Sequence, residues 1–250
     1  MDFPNIKSAG IQPYAVNGKG EITFLLGKEG FAPGWTESDK WGLFGGKVES
    51  GESVHEGAAR ECYEETAGCV LSLAELRQKL DYGDFRLAID VIFKKTRFVC
   101  FFIQVPCRDY PSMFRHTKHF VQYVNGSVEC IEKSQVKWFS HEELRAEIHP
   151  HCKTPTITQA PPRNTANQFK STSRYGRKPI FRRKYAEMMR YFFDVNGGAF
   201  LIGGRNRPRY LYFRVHPKNS NHHGGGSGGG GGGSATSSHA AAAAPSVLMQ

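Results

Sequence analysis

The chain has 250 residues, 39% of them hydrophobic, and a formal net charge of +10 at pH 7. This is enough apolar material for a sizeable core, so a wholly disordered protein is excluded. No run of eighteen apolar residues occurs, and the N-terminus lacks the basic and apolar segments of a secretory signal. Six scattered cysteines without a Cys-x-x-Cys pair indicate reduced thiols. The composition predicts an intracellular protein, cytoplasmic or nuclear, with no membrane partner.

The charge is unevenly distributed along the chain. Residues 1–150 contain 18 Lys and Arg against 21 Asp and Glu, which is a net charge of −3. Residues 151–218 contain 15 Lys and Arg against 2 Asp and Glu, which is a net charge of +13. An acidic region is therefore followed by a strongly basic one, and a basic surface of this kind favours phosphate-rich ligands.

The pattern of the first 148 residues predicts alternating strands and helices. Strands are expected at 8–16 and 21–27, joined by an Asn17-Gly18 turn, which is a strong hairpin signal. Ser140 followed by Glu143 predicts a capping box at the start of a last helix. The remaining predicted elements are helices at 53–67, 72–80 and 113–124 and strands at 86–93, 98–105 and 136–139.

The most informative stretch begins with a glycine loop and continues into an acidic helix. It reads Gly46, five residues, Glu52, seven residues, and then Arg60-Glu61-Cys62-Tyr63-Glu64-Glu65. On a helix, Glu61, Glu64 and Glu65 share one face, where like charges repel unless a cation lies against them. Carboxylate oxygens are the ligands that Mg²⁺ and Mn²⁺ prefer. A solvated acidic face is the alternative, but the number of fixed positions favours a metal site.

These residues resemble the Nudix box, in which glycine, glutamate, arginine and three further glutamates stand at this spacing. The resemblance covers about residues 8–148 and implies a Nudix-type α/β/α sandwich around a mixed β-sheet, here with a basic C-terminal extension. Three positions depart from the family pattern, namely Cys62, Ala67 and Gly68. The simplest interpretation is that the helix runs one residue longer and that Gly68 provides its left-handed cap.

The resemblance also implies a reaction and roles for residues. The expected reaction is hydrolysis of a diphosphate bond in a nucleoside diphosphate linked to another group. The expected cofactor is Mg²⁺ or Mn²⁺, and the general base is unassigned, with Glu129 and Glu132 as the nearest candidates. The expected metal ligands are Glu61, Glu64, Glu65 and the Gly45 carbonyl, and the expected bracing pair is Glu52 and Arg60.

The sequence divides into four predicted parts. These are a Nudix domain at 1–148, a linker or extended loop at 149–173, a basic, aromatic-rich folded extension at 174–216 and a disordered Gly/Ala-rich tail at 217–250. In the extension, Pro179 is expected to open a helix that runs to about Asp194 and is closed by residues 196–198, with strands at 200–202 and 210–215. An apolar stripe on that helix contains Phe181, Tyr185, Met188 or Met189, and Phe192.

The residues of the basic extension are expected to determine which substrate is bound. Its mixture of cations and aromatic residues suits phosphate contacts and base stacking, as an RNA 5′ end or mRNA cap would need. Three alternatives remain: an inositol pyrophosphate or nucleotide-sugar substrate, a non-catalytic module that binds nucleotides or RNA, and an extension whose aromatics form a core. The residues predicted to contact the phosphate-rich substrate are Lys47, Arg182, Arg183 and Lys184.

Overall fold

The computed structural model describes residues 6–93, 96–125, 131–149, 180–202 and 211–215. The strands are β1 Ser8–Val16, β2 Ile22–Glu29, β3 Trp41–Gly42, β4 Phe44–Lys47, β5 Leu87–Phe93, β6 Thr96–Gln104, β7 Lys133–Ser140 and β8 Leu211–Val215. They form a mixed eight-stranded sheet in the order β3-β2-β1-β6-β5-β8, while β4 pairs with the first half of β1 and β7 pairs with β2. The pairs β1–β6 and β5–β8 are parallel.

Helices cover both faces of this sheet. Successive side chains of a strand point to opposite faces, so Phe101 of β6 belongs to one core cluster and Phe102 to the other. The cluster on one face takes residues from α1 Val54–Glu65, α2 Leu73–Asp81 and α3 Tyr110–Asn125. The cluster on the other face takes residues from α4 His141–Ile148, α5 Arg183–Asp194 and α6 Gly197–Ile202. The predicted α/β/α sandwich with a mixed sheet is confirmed.

Local signals in the sequence placed several elements correctly. The side-chain oxygen of Asn17 accepts hydrogen bonds from the N–H groups of Lys19 and Glu21 and closes the turn between β1 and β2. The capping box of Ser140 and Glu143 is present at the start of α4. Helix α3, Tyr110–Asn125, and strand β7, Lys133–Ser140, are longer than predicted.

The boundaries of the C-terminal helix differ from the prediction. Helix α5 begins at Arg183 and not at Pro179, because the preceding residues run alongside β3. The Trp41 N–H donates to the Ile180 carbonyl and the Arg182 N–H donates to the Trp41 carbonyl. The main chain before α5 is thus committed to the sheet edge.

The strand predicted at 200–202 is wrong, since these residues belong to α6. Asn196 adopts a left-handed conformation, with φ of 54°, and turns the chain so that a new helix starts at Gly197. Leu201 is buried in the second core cluster, so a short helix is enough to bring this apolar side chain into the core.

The end of the box helix also needs correction. Helix α1 ends at Glu65, and Ala67 takes the left-handed position after the cap, with φ of 52°. The Ala67 N–H donates to the Glu64 carbonyl at 3.0 Å and the Gly68 N–H donates to the Tyr63 carbonyl at 2.8 Å. This is a Schellman motif, so the helix does not run one residue longer. Gly68 is left-handed as predicted, with φ of 68°, but it follows the left-handed Ala67 and not the end of the helix.

The described parts of the C-terminal region pack on the sheet. The predicted apolar stripe of α5 is buried, and the rings of Phe192 and Phe102 stack with centroids 5.3 Å apart. Tyr212 of β8 donates a hydrogen bond to Asp90 of β5. Residues 150–173 of the predicted linker and all of the predicted tail, 217–250, are not among the described residues. The division of the chain into four parts therefore stays a prediction.

Among the helices of the described ranges, none is both long and apolar enough to cross a bilayer.

Candidate active site

Arg60 is the centre of a cluster of three carboxylates. Its Nε donates to Glu52 Oε1 at 2.8 Å, and its Nη2 donates to Glu52 Oε2 at 3.1 Å. Its Nη1 donates to Glu61 Oε1 and to Glu64 Oε2, both at 3.1 Å. The hydrogen bond to Glu52, and after it the charge of Glu61 and the hydrogen bond to it, raise the pKa of Arg60. The hydrogen bond from Arg60 holds the pKa of Glu52 below its usual range. Arg60 therefore offsets the repulsion among the box glutamates.

The glycine loop lies against this cluster. Gly45 and Gly46 allow this close contact because neither carries a side chain. Gly45 pairs with Gly10 of β1, and a Cβ on Gly45 would lie 2.5 Å from the Gly10 Cα. A Cβ on Gly46 would lie 2.5 Å from Glu61 Oε2. The main chain at Gly45 and Gly46, called the glycine pair below, is thus packed between β1 and the carboxylate of Glu61.

Glu65 contacts the same glycine pair but is held by different partners. Its Oε2 accepts from the Gly45 N–H at 2.7 Å, and its Oε1 lies 2.7 Å from Lys133 Nζ. Glu65 is only 4% exposed. Burial raises its pKa to about 7, while the charge of Lys133 acts in the opposite direction. Glu61 and Glu65 therefore flank the glycine pair, each with its own cation.

Of the two residues named as candidates for the general base, Glu132 lies within the described residues. Burial raises the pKa of Glu61, Arg60 lowers it, and the negative charges of Glu64 and Glu132 raise it further. Glu132 is exposed and immediately precedes β7, so it stands close to the box from a different part of the chain. The other candidate, Glu129, lies outside the described residues.

The donor atoms at this site fit Mg²⁺ or Mn²⁺ by their chemistry, since they are hard carboxylate oxygens. Within the described ranges, however, no three His, Cys, Asp or Glu side chains come close enough together to hold an ion as they stand. Arg60 holds Glu61 and Glu64, with Glu61 beside Gly46, while Lys133 holds Glu65, which contacts Gly45. The three predicted ligands therefore form two separately oriented sets at the glycine pair and not one cluster.

A cleft of about 110 Å³ borders the glycine pair. Of the four residues predicted to contact substrate, Arg182 and Lys184 line this cleft. Lys47 is exposed beyond the glycine pair, and Arg183 is 80% exposed and paired with Glu187. The remaining lining residues are Ser8, Leu43, Phe98, Tyr185 and Met188.

Tyr185 brings an unsatisfied polar atom to this cleft. The residue is 3% exposed, and its hydroxyl oxygen is buried without a hydrogen-bond partner among the residues that the structure describes. A buried hydroxyl normally has a partner, because an unpaired one has lost its hydration without compensation. Tyr185 is therefore a residue of the cleft whose hydroxyl is buried and has no partner among the described residues.

Two residues of the site carried no signal in the sequence. Glu29 at the end of β2 accepts hydrogen bonds from Lys133 Nζ and from Arg182 Nη1. Neither Glu29 nor Lys133 belongs to a motif. The available hint was Gly27, since a glycine inside a strand often marks a close approach, and a Cβ there would lie 3.0 Å from the Lys133 side chain.

The aromatic residues of the extension form core contacts. Phe181, Tyr185, Tyr212 and Phe213 are buried, and Tyr191 packs against Phe213 with ring centroids 6.1 Å apart. Two further aromatic residues of the predicted extension, Tyr175 and Tyr210, lie outside the described ranges. The described aromatics match the alternative in which they build a core.

Comparison with known protein families gives the same family as the box residues. The model of the NUDIX domain matches residues 13–158, which is more than half of the chain. No curated protein matches.

Solved structures with a similar fold include the Nudix hydrolase RenU from M. smegmatis, at 10% identity over 78% of this chain and 89% of that one, with a TM-score of 0.41. A MutT/Nudix family protein from Listeria innocua matches at 16% identity over 81% and 100%, with a TM-score of 0.42. The MutT protein from Methanosarcina mazei matches at 26% identity over 42% and 67%, with a TM-score of 0.27. These TM-scores are low, so the assignment rests on the matching domain and the box residues. The chain belongs to the Nudix family and is a Nudix pyrophosphohydrolase.

Proposed function

We propose that this protein uses Mg²⁺ or Mn²⁺ to hydrolyse the diphosphate bond of a nucleoside diphosphate linked to a small group. One observation carries the proposal. The glycine pair is flanked by the carboxylates of Glu61 and Glu65, and it also borders the cleft that contains Arg182 and Lys184. A diphosphate in this cleft would lie next to the box, with cations on its other side.

The box residues supply the metal ligands and their support. Glu61, Glu64, Glu65 and the Gly45 carbonyl would hold the ion, which when bound neutralises charge on the diphosphate and activates water. Arg60 and Glu52 orient Glu61 and Glu64 through the hydrogen bonds described above. Glu132 is our candidate for accepting the proton of the attacking water, because it stands near Glu61 from a separate loop.

Two features of the cleft and one residue next to Arg182 support a nucleotide substrate. Lys184 and Arg182 provide positive charge, and the Tyr185 hydroxyl provides an unpaired polar atom. Trp35, which is 42% exposed, lies beside Arg182, with the guanidinium 5.9 Å from its ring centroid. An exposed indole at this position offers a face on which a nucleobase can stack.

A substrate panel tests the proposal directly. The full chain is incubated with Mg²⁺ or Mn²⁺ and ADP-ribose, dinucleoside polyphosphates, NADH, CoA, capped RNA and inositol pyrophosphates. We expect hydrolysis of a small nucleotide by the wild type, loss of that activity in Glu64→Gln/Glu65→Gln, and loss on chelation that Mg²⁺ or Mn²⁺ reverses. Equal product release by both proteins, or none by the wild type, would overturn the hydrolase proposal and favour a binding module.

The same panel decides between substrate classes. Preferential hydrolysis of capped RNA would instead support an RNA 5′ end as the substrate. RNA affinity should then fall as the salt concentration rises, and each phosphate contact should add about one unit to the slope of log affinity against log salt concentration. Preference for inositol pyrophosphates would support the basic surface without base stacking. The buried aromatics of the extension lead us to expect the small nucleotide.

A further inference from the structure

A buried chain of alternating charges joins the C-terminal segment to the box helix. Arg182 Nη1 donates to Glu29 Oε1 at 2.7 Å, and Lys133 Nζ donates to the same oxygen at 2.5 Å. Lys133 Nζ also lies 2.7 Å from Glu65 Oε1, and Glu65 Oε2 accepts from the Gly45 N–H at 2.7 Å. The chain therefore runs from Arg182 through Glu29, Lys133 and Glu65 to Gly45.

Lys133 is the middle of this chain and is sealed from solvent. Its side chain is 0% exposed, and those of Glu29 and Glu65 are each 5% exposed. The absence of a side chain on Gly27 leaves room for its stem, since a Cβ there would lie 3.0 Å from Lys133 Cγ and Cδ. A buried ammonium is tolerated only when it is paired, and here it is shared by two carboxylates.

Arg182 reaches this chain from the segment that precedes α5. The segment is hydrogen-bonded to Trp41 of β3 on both sides, by the Ile180 carbonyl and the Arg182 N–H. The side chain of Arg182 passes over Gly42, where a Cβ would lie 2.9 Å from its Cδ. Docking of residues 180–182 therefore places a guanidinium against the carboxylate that pairs with Lys133.

We propose that Lys133 is a positioning residue for Glu65, and that Arg182 makes this positioning depend on the docked C-terminal segment. The inference rests on the proposed function, in which Glu65 is a metal ligand. Lys133 orients one oxygen of Glu65 and the Gly45 N–H orients the other, so the carboxylate has a single orientation beside the cleft. Without Arg182, the buried carboxylates of Glu29 and Glu65 share only the ammonium of Lys133. Lys133 then orients Glu65 less firmly.

The test must separate positioning from stability. Lys133→Met leaves two buried carboxylates with one cation fewer, so we expect this variant to be strongly destabilised. Glu29→Met/Lys133→Met removes one charge of each sign and is expected to recover stability, yet Glu65 still lacks its ammonium. We expect this double variant to bind Mn²⁺ at least about tenfold more weakly than the wild type and to lose about 10–100-fold in kcat, with little change in KM.

Matched control variants test the roles of Lys133 and Arg182 separately. Lys137→Met changes an exposed lysine of the same strand and should keep wild-type Mn²⁺ affinity and kcat. Arg182→Met should weaken Mn²⁺ binding in the same direction as the double variant, whereas Arg115→Met, on the exposed side of α3, should not. Equal Mn²⁺ affinity in the Arg182→Met variant and the wild type would overturn the dependence on the docked segment.

Mn²⁺ titration of the full chain needs no substrate and so separates this inference from the proposed function. If the double variant regains both stability and wild-type Mn²⁺ affinity, Lys133 only balances charge and the positioning role is overturned, even where the wild type hydrolyses nucleotides. If the double variant is stable but binds Mn²⁺ weakly, the positioning role is supported, even where no substrate of the panel is hydrolysed.

Discussion

Arg60 and Glu52 meet through two parallel hydrogen bonds, from Nε to Oε1 at 2.8 Å and from Nη2 to Oε2 at 3.1 Å. This paired geometry leaves Nη1 of Arg60 to hold Glu61 and Glu64. A lysine in place of Arg60 carries the charge but cannot reproduce the planar fork. The orientation of the box therefore depends on the arginine and not only on a positive charge.

We accordingly expect Arg60→Lys and Glu52→Gln each to lower kcat by about 10–100-fold, since residues that orient metal ligands have effects of this size. Steady-state kinetics with the substrate found in the panel measure this. Glu49→Gln changes an exposed neighbour and should retain wild-type kcat. A full-activity Arg60→Lys variant would contradict the role of the paired geometry.

Tyr185→Phe tests whether the cleft binds substrate. The variant removes a buried hydroxyl that has no partner among the described residues, so the free energy of unfolding should not fall. If the hydroxyl bonds the substrate, KM should rise by about fivefold, which corresponds to one hydrogen bond of about 1 kcal/mol. Urea unfolding and steady-state kinetics measure the two effects. Loss of stability at unchanged KM would show that the hydroxyl has a structural partner instead.

Ala67→Gly should stabilise the protein. Ala67 holds a left-handed conformation at the end of α1, and this costs about 1 kcal/mol more for alanine than for glycine. For a protein of this size, thermal unfolding should shift upward by about 2–4 °C. Ala74→Gly, at an exposed position of helix α2, should instead lower stability by about 0.5–1 kcal/mol. A destabilised Ala67→Gly variant would be inconsistent with the Schellman motif.

His141 should make stability depend on pH. Burial lowers its pKa and the charge of Arg145 lowers it further, so the folded pKa lies below the value of about 6.5 for an unfolded histidine. Above pH 6.5 both states hold the neutral ring and the contribution is zero. Below pH 6.5 the unfolded chain binds a proton that the folded chain does not, so the free energy of unfolding falls with pH, by at most about 1.4 kcal/mol per unit.

Urea unfolding of the wild type and His141→Gln at pH 7.5 and 5.5 measures this contribution. The raised pKa of Glu65 has the opposite sign, with stability lost as pH rises between about 4.5 and 7, and it cancels in the difference between the two proteins. We expect a smaller loss at pH 5.5 in His141→Gln. His55, whose pKa burial also lowers, supplies a second contribution that His55→Gln should remove. Identical pH dependence in wild type and His141→Gln would refute the assignment.

Tyr212→Phe should loosen strand β8. The Tyr212 hydroxyl donates to Oδ2 of Asp90, a carboxylate that is fully buried and also bonded to Arg97. Loss of a hydrogen bond to a buried charge is expected to lower the free energy of unfolding by about 2 kcal/mol. Urea unfolding checks this value. Tyr191→Phe is the control, because its hydroxyl has no partner within the described ranges, and it should be nearly neutral.

The parts of the protein that could be predicted are those with local physical causes. The Asn17 turn and the Ser140 capping box depend on side chains that bond main-chain groups a few residues away. The end of α1 was missed because alanine in a left-handed conformation is unusual, and Ala67 is held there by the bonds of the Schellman motif. The 200–202 segment was missed because a short run of apolar residues suits a strand and a buried helix equally well.

The sequence by itself determined the family and the α/β/α fold, because the positions of Glu52, Arg60 and Glu61 along one loop and helix are a local property. Only the tertiary structure decided which cation each box carboxylate meets. Lys133 lies 104 residues from Glu29, and Arg182 lies 153 residues from it, so no periodicity in the chain could relate them. Their pairing follows from the sheet, which aligns β2 with β7 and closes the interior to water, where a buried charge must find its partner.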